Sequence, residues 1–198
     1  MILPKHRTQI PIFDALDGDR IRIRPFQPGD AEAHFAAIVE SRERIERWLP
    51  WVPTYQAVDD SRDTIARMQA RWLLRDDFDA GIFNRQSGAL LGGIGFHPRN
   101  WEVSYFEIGY WLRTSAEGQG YVAEAVRVLM EYLFTTFDAH RVEIRCDARN
   151  TRSAAVAERT GFVREAHLRN ARRGSDGTLS DTLIFARTDL DHHAAAHP

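Results

Sequence analysis

The segment Arg113-Thr114-Ser115-Ala116-Glu117-Gly118-Gln119-Gly120-Tyr121 joins an alternating apolar run to a helical one. Glycines let a backbone turn sharply and approach a ligand closely. A helix that starts there aims unpaired N–H groups and the positive end of its dipole outward. Such a loop can cradle phosphate oxygens. It can equally be a plain strand-to-helix turn, and two glycines alone do not separate the readings. No Gly-Lys-Ser/Thr follows, so this is not a Walker A loop, and only two of the three glycines of a dinucleotide fingerprint are present. The single cysteine, Cys146, excludes an internal disulfide and a multi-cysteine metal site, and its alternation with Val142 and Ile144 places it in the core. His97 and His140 fall at element ends and could contact substrate, although surface placement is the expectation for each. His192, His193 and His197 sit among alanines at the chain end, where a frayed tail is expected rather than a metal site.

The elements that must hold this loop can be read from periodicity. Ile21 and Ile23 alternate with Arg22 and Arg24, a strand pattern, and Pro28-Gly29-Asp30 offers a turn and helix N-cap. Phe35, Ile38, Val39, Ile45 and Leu49 follow at helical spacing until Pro50. A second helix starts at Asp60, with Ile65, Met68, Trp72 and Leu73 on one side. Strands are predicted over 80–84, 89–96 and 103–112, the last apolar on both faces and so expected to be buried on both. An amphipathic helix carrying Val122, Ala125, Val126, Leu129, Met130 and Leu133 leads to a strand over 141–147. A helix runs from Asn150 as N-cap to Gly161, and strands near 162–168 and 182–186 finish the chain. This order predicts a mixed α/β sheet with helices on its faces.

Composition bounds the function. The 198 residues make one domain, with 43% hydrophobic and 27% charged residues, ordinary for a soluble globular protein. The core is expected over about 20–188, between flexible tails. A net charge of -2 argues against a nucleic-acid-binding surface. No apolar run is long enough to span a bilayer, and residues 1–19 do not resemble a signal peptide, so no membrane partner and a cytoplasmic location are expected.

Several segments together resemble one family. Tyr105-Phe106-Glu107-Ile108-Gly109-Tyr110-Trp111-Leu112 followed by Glu117-Gly118-Gln119-Gly120-Tyr121 is similar to the pyrophosphate-binding motif of GNAT N-acetyltransferases and the strand before it. Asn150-Thr151-Arg152-Ser153 with Glu158-Arg159-Thr160-Gly161-Phe162 resembles the next motif in its RimJ/RimL form, and the segment ESRERIERWLPW over 40–51 resembles the early helix of that subgroup. The likeness extends over roughly residues 21–185. Ser115 stands where the superfamily often has Gln or Arg, and the tyrosine that many members place after the Asn150 position is absent, with Ser153 in the first helical turn instead.

The resemblance implies a GNAT fold: a mostly antiparallel twisted sheet, helices on both faces, and a V-shaped splay between the fourth and fifth main strands, opened by a bulge in the fourth. It implies that acetyl-CoA lies in the splay. The pantetheine arm would pair with backbone around Ile108, Tyr110, Trp111 and Leu112, and the pyrophosphate would sit on N–H groups of Gly118, Gln119, Gly120, Tyr121 and Val122. The acceptor amine would attack the thioester directly, which requires a proton acceptor, a polarised carbonyl and a proton donor for the thiolate. Glu107, ahead of the expected bulge, is the candidate for the first role, against the plainer reading of a strand carboxylate paired with an arginine. Ser153 is the candidate for protonating the thiolate and Asn150 for holding the cofactor arm while capping its helix. Trp48 and Trp51 flank a Leu-Pro bend and are candidate acceptor contacts, whereas Trp72 is expected to pack in the core.

The expected acceptor is a protein N-terminal α-amine, such as that of a ribosomal protein. A free α-amine titrates near 8 and a lysine near 10.4, so an N-terminus asks less of a base. A small amine such as a polyamine or aminoglycoside is the alternative, and a non-catalytic CoA-binding module is the reading from another class. The acidic pairs Asp59-Asp60 and Asp76-Asp77 could attract polycations, although solvated helix ends are the expectation. A homodimer without metal is expected from the subgroup.

Overall fold

The structure, a computed structural model, describes residues 7–174 and 177–189. The tail histidines His192, His193 and His197 therefore lie outside the described residues. Eight strands form one sheet in the order β1-β2-β3-β4-β5-β6-β8-β7. They are β1 (Leu16–Asp17), β2 (Ile21–Pro25), β3 (Phe78–Asn84), β4 (Leu90–Asn100), β5 (Tyr105–Leu112), β6 (Arg141–Asp147), β7 (Val163–Arg173) and β8 (Leu179–Thr188). Every neighbouring pair is antiparallel except β5 with β6. A parallel pair needs a crossover, and helix α3 (Tyr121–Thr135) supplies it. Helices α1 (Ala31–Ile45) and α2 (Val58–Leu74) connect β2 to β3, and α4 (Thr151–Arg159) connects β6 to β7. Apart from the two-residue β1, which periodicity does not mark, the order of elements matches the periodicity of the sequence.

Alternation along the central strands sorts the helices to two faces. Ala80, Ile82, Ile94 and Phe96 pack with Ala125, Val126, Leu129 and Met130 of α3 and with Ala157 of α4 in the main core. Phe83 and Leu90 turn the other way and pack with Ala31, Ala37 and Ile65 of α1 and α2. Stacked rings of Phe78 and Phe96, 4.3 Å apart, fasten β3 to β4 within the larger layer.

The structure corrects several expectations. The core begins ahead of residue 20. Ile10 and Phe13 are buried, and Phe13 meets the rings of Trp72 and Tyr132 edge-on. Arg75, left-handed at the end of α2, ties this segment down by donating from Nε to the Ile10 carbonyl at 2.9 Å. Leu73 and Val39 are exposed, although Trp72 packs in the core as expected. Strand β7 runs to Arg173, well beyond the short strand expected, because most of its outward side chains are polar and periodicity has little apolar signal there. Strand β5 is buried fully only at Phe106 and Ile108. Its other face is not covered by α1 and α2, which leave a cavity there.

The expected splay is present, but its bulge lies elsewhere. Strands β5 and β6 pair only at Tyr105↔Arg141, Phe106↔Val142 and Glu107↔Glu143, and then diverge. Residues 106–112 stay in unbroken register with β4, and the extra residue is Arg99 on β4, between Pro98 and Asn100. Pro98 has no N–H to give the ladder, which favours the irregularity there. Among the described residues no helix is long and apolar enough to cross a membrane.

Candidate active site

Two structures meet at β5. On one side is the splay and the loop that follows it. Beyond Glu107 the β6-facing backbone of residues 108–112 has no strand partner. Arg113 then leaves the sheet, and residues 114–116 make one 3-10 turn. Gly118 and Gly120 adopt φ of +76° and +79°, which an L side chain tolerates poorly. Gly120 is the N-cap of α3, and the first bond of that helix runs from the Glu124 N–H to the Gly120 carbonyl. The N–H groups of Tyr121, Val122 and Ala123 therefore precede the intrahelical ladder. These left-handed glycines and free helical N–H groups are the geometry that a phosphate cradle would need.

Helix α1 holds the loop in place. Ser41 Oγ accepts from the Thr114 N–H at 2.9 Å, and Glu40 accepts from the Ser115 N–H at 2.7 Å and from Arg113. The hydrogen bond from Arg113 is the main cause that holds the Glu40 carboxyl down at about 2. Three arginines surround the cradle. Arg44 and Arg152 donate to Glu117 at 3.0 and 2.5 Å, and Arg20 reaches the Gln119 carbonyl at 2.9 Å. Neither Glu40 nor Ser41 could be picked from the sequence, since each is more than 70 residues from its partner.

Across the splay, α4 faces β5. Asn150 Oδ1 caps α4 by accepting from the Ser153 N–H at 3.1 Å. The Tyr110 hydroxyl lies 3.0 Å from Ser153 Oγ and donates to the Ser153 carbonyl at 3.1 Å. Burial pushes the Tyr110 phenol well above its ordinary value, so it stays protonated. Cys146 is buried beside this site, as its alternation suggested.

On the opposite face of β5 is a cavity of about 780 Å³ under α1 and α2. Trp51, Tyr55, Trp111 and His34 supply aromatic walls, with Trp51 edge-on to both Tyr55 and Trp111 at 5.6 and 6.2 Å. Its floor is the glycine-lined sheet at Gly93, Gly95 and Gly109. His34 is buried and hydrogen-bonded to Ser61 at 3.0 Å, and burial lowers its pKa to about 4. Of the two tryptophans singled out by the sequence, Trp51 lines the cavity. Trp48 does not, and its ring instead carries the Arg47 guanidinium at 4.7 Å.

Glu107 lines an adjoining cavity with Asp76, Asp77, His97 and Arg99. Its carboxylate pairs with Arg99 at 2.9 Å, the residue that the bulge in β4 adds. His97 is half-buried rather than fully at the surface. It lines both cavities and meets Asp77. Asp77 is likewise drawn into the cavity rather than left as a solvated helix end, while Asp60 does cap α2 through the N–H groups of Gln56 and Ala57. The two cavities share Asp77, His97 and Gly109, and Gly109 lies two residues past Glu107, where β5 and β6 cease to pair.

The residues present suit acetyl-CoA: an unpaired strand edge for an amide-bearing arm, free helical N–H groups, and arginines for phosphate. Comparison with known proteins agrees. Residues 20–163 match the acetyltransferase (GNAT) domain family. The chain is 31% identical over 160 residues to YdaF of Bacillus subtilis, covering 80% of this chain and 86% of that protein. It is 29% identical over 154 residues to the ribosomal-protein-serine acetyltransferase of Escherichia coli, covering 77% and 84%. In fold it resembles RimL, the ribosomal L7/L12 α-N-protein acetyltransferase solved with coenzyme A, at a TM-score of 0.82, 21% identity and coverage of 88% and 97%. It also resembles the microcin C7 self-immunity acetyltransferase MccE solved with acetyl-CoA and AMP, at 0.80, 23% identity and coverage of 86% and 93%. With the splay, the glycine cradle and the capped α4 in the order the family requires, this chain belongs to the GNAT family, in a RimJ/RimL-like form, and is an acetyl-CoA-dependent N-acetyltransferase.

Proposed function

We propose that the acceptor is the N-terminal α-amine of a protein, such as a ribosomal protein, and that acetyl passes to it by direct attack in a ternary complex. The observation that carries this reading is the cavity under α1 and α2, about 780 Å³ and meeting the splay at Gly109 to Trp111. That is room for the first residues of a chain, in the volume range of ordinary ligand sites. The likeness to the Escherichia coli ribosomal-protein-serine acetyltransferase, over most of both chains, supports it.

In this reading the backbone of Ile108 to Leu112 pairs with the pantetheine arm and the N–H groups of Gly118 to Val122 bind the pyrophosphate. Asn150 Oδ1 is used by its own helix, and its Nδ2 is left to donate to the arm. Glu107, held by Arg99, draws the acceptor ammonium into the cavity and helps its deprotonation through water. Trp51 walls the acceptor's first side chain. Ser153, with the Tyr110 hydroxyl 3.0 Å away, returns a proton to the departing thiolate.

A small cationic amine is the second reading, favoured by the carboxylates of Asp77 and Asp79 in the cavity. Thiol release from acetyl-CoA separates the two. The panel is peptides with free N-termini, lysine peptides with blocked N-termini, polyamines and aminoglycosides. Release with free N-terminal peptides alone supports the proposal, and release confined to small amines overturns it. Ser153→Ala should lower turnover about tenfold without changing acetyl-CoA affinity, and unchanged turnover removes Ser153 from the mechanism.

A further inference from the structure

The cavity holds a histidine–carboxylate pair that the roles above leave unused. His97 pairs directly with Glu107 across β4 and β5, and Phe78, the residue after Asp77, pairs with Phe96. Asp77, just ahead of β3, thus stands in one row with His97 of β4 and Glu107 of β5, on the face where side chains of period two share a side. The next row is Asp79, Gly95 and Gly109. Asp77 Oδ1 lies 2.5 Å from His97 Nδ1. A carboxylate only accepts, so Nδ1 carries the proton and Nε2 of the neutral ring presents a lone pair.

That lone pair has a defined target. A Cβ at Gly109 would lie 3.2 Å from His97 Nε2, so Nε2 stands directly over the Gly109 backbone. Among the described residues Nε2 has no hydrogen-bond partner. Gly109 is two residues past Glu107, where β5 and β6 cease to pair, so this is the mouth of the splay. The glycine keeps the space between the ring and the strand open. An amine crossing at Gly109 from the cavity toward the splay passes beneath this nitrogen.

The groups facing His97 come from every packed element. Asp77 and Asp79 face it from the β3 side, and Glu107 from β5. Arg71 of α2 pairs with Asp77 at 3.5 Å and Asp79 at 3.1 Å, Arg67 of α2 lines the cavity, and Arg99 sits on Glu107. Burial lowers the His97 pKa, but the Asp77 hydrogen bond and the charges of Asp77, Asp79 and Glu107 outweigh it and leave the ring above its ordinary 6.5. A base matched to the working pH is what proton removal from an α-amine needs.

We propose that His97, oriented by Asp77, takes the proton from the attacking amine. The amine N–H proton passes to Nε2 as the N–C bond to the acetyl group forms. The thioester C–S bond breaks, its electron pair leaves on sulfur, and the Tyr110–Ser153 pair returns a proton there. The imidazolium discharges to solvent through the cavity that Glu107 lines. Glu107 thus holds the ammonium and passes its first proton to water, leaving the neutral amine to attack, while His97 takes the second proton, the one lost as the N–C bond forms. The proposal deepens the reading of the acceptor site and rests on an amine acceptor, whether peptide or small molecule.

The test combines kinetics with a titration that needs no acceptor. His97→Gln should lower kcat about a hundredfold, within the usual range for a general base, with acetyl-CoA affinity unchanged. Asp77→Asn removes a carboxylate that stabilises the imidazolium, so the acid limb of kcat should move to lower pH. By NMR, His97 in the unaltered protein should titrate above 6.5, and lower in Asp77→Asn. Kinetics are read on whichever amine of the panel the enzyme accepts, so a small-amine acceptor would overturn the N-terminal reading and leave this one standing. A kcat for His97→Gln within threefold of the parent, an unmoved limb in Asp77→Asn, or a His97 titrating at or below its ordinary value would overturn the proposal.

Discussion

The two sides of β5 offer different means of recognition. The splay side presents mainly backbone: an unpaired strand edge, two left-handed glycines and the first N–H groups of α3. The cavity side presents side chains brought from α1, α2, β3, β4 and β5. Backbone recognition depends on where the chain turns, so it tolerates change in most side chains and leaves a short, local glycine signature. Side-chain recognition depends on what packs opposite what, so it leaves no local signature and is free to vary with the acceptor. With the cosubstrate on the splay and the acceptor in the cavity, as proposed above, one enzyme can keep a common cosubstrate and still change its acceptor.

The comparison breaks first, and hardest, at the glycines. Replacing both Gly118 and Gly120 by valine forces two branched residues into left-handed backbone, at about 1–2 kcal/mol each. Acetyl-CoA should bind about a hundredfold more weakly by calorimetry. Acceptor KM at saturating acetyl-CoA should stay near the parent value. Equal loss on both sides would mean that the loop also shapes the cavity.

The next effect is on stability and belongs to the cavity side. His34 is buried with its pKa lowered to about 4, so the folded state binds fewer protons than the unfolded state between that value and about 6.5. Stability from this residue is complete above 6.5 and is lost as pH falls toward 4. From pH 8 to pH 5 the loss is about 2 kcal/mol, an order-of-magnitude figure. His34→Gln can keep a bond to Ser61 but does not titrate, so its denaturation midpoint should fall less over that range. Parallel curves for parent and variant would show that His34 does not titrate as described.

The smallest effect sharpens the contrast within the acceptor walls. Trp51→Ala should raise acceptor KM about tenfold, some 1.4 kcal/mol, and leave acetyl-CoA affinity alone, since Trp51 touches Tyr55 and Trp111 at the cavity and not the glycine cradle. Trp48→Ala should change KM less than twofold, because its ring carries Arg47 and does not line the cavity. A larger effect at Trp48 would place the acceptor outside this cavity.

These contrasts mark what the sequence by itself determined. The order of strands and helices, the glycine cradle, the Asn150 cap and the family were all legible. The first three rest on period, turn chemistry or spacing within a short segment, and the family on several such segments taken in order. The tertiary structure alone decided the rest. It put the bulge at Arg99 of β4, which brings that arginine onto Glu107. It chose Trp51 over Trp48, joined Tyr110 to Ser153 across 43 residues, and drew Asp77 and His97 from expected surface positions into one row over Gly109. Strand register and the gap left under α1 and α2 set those pairings, and both depend on how distant segments pack rather than on any local pattern of residues.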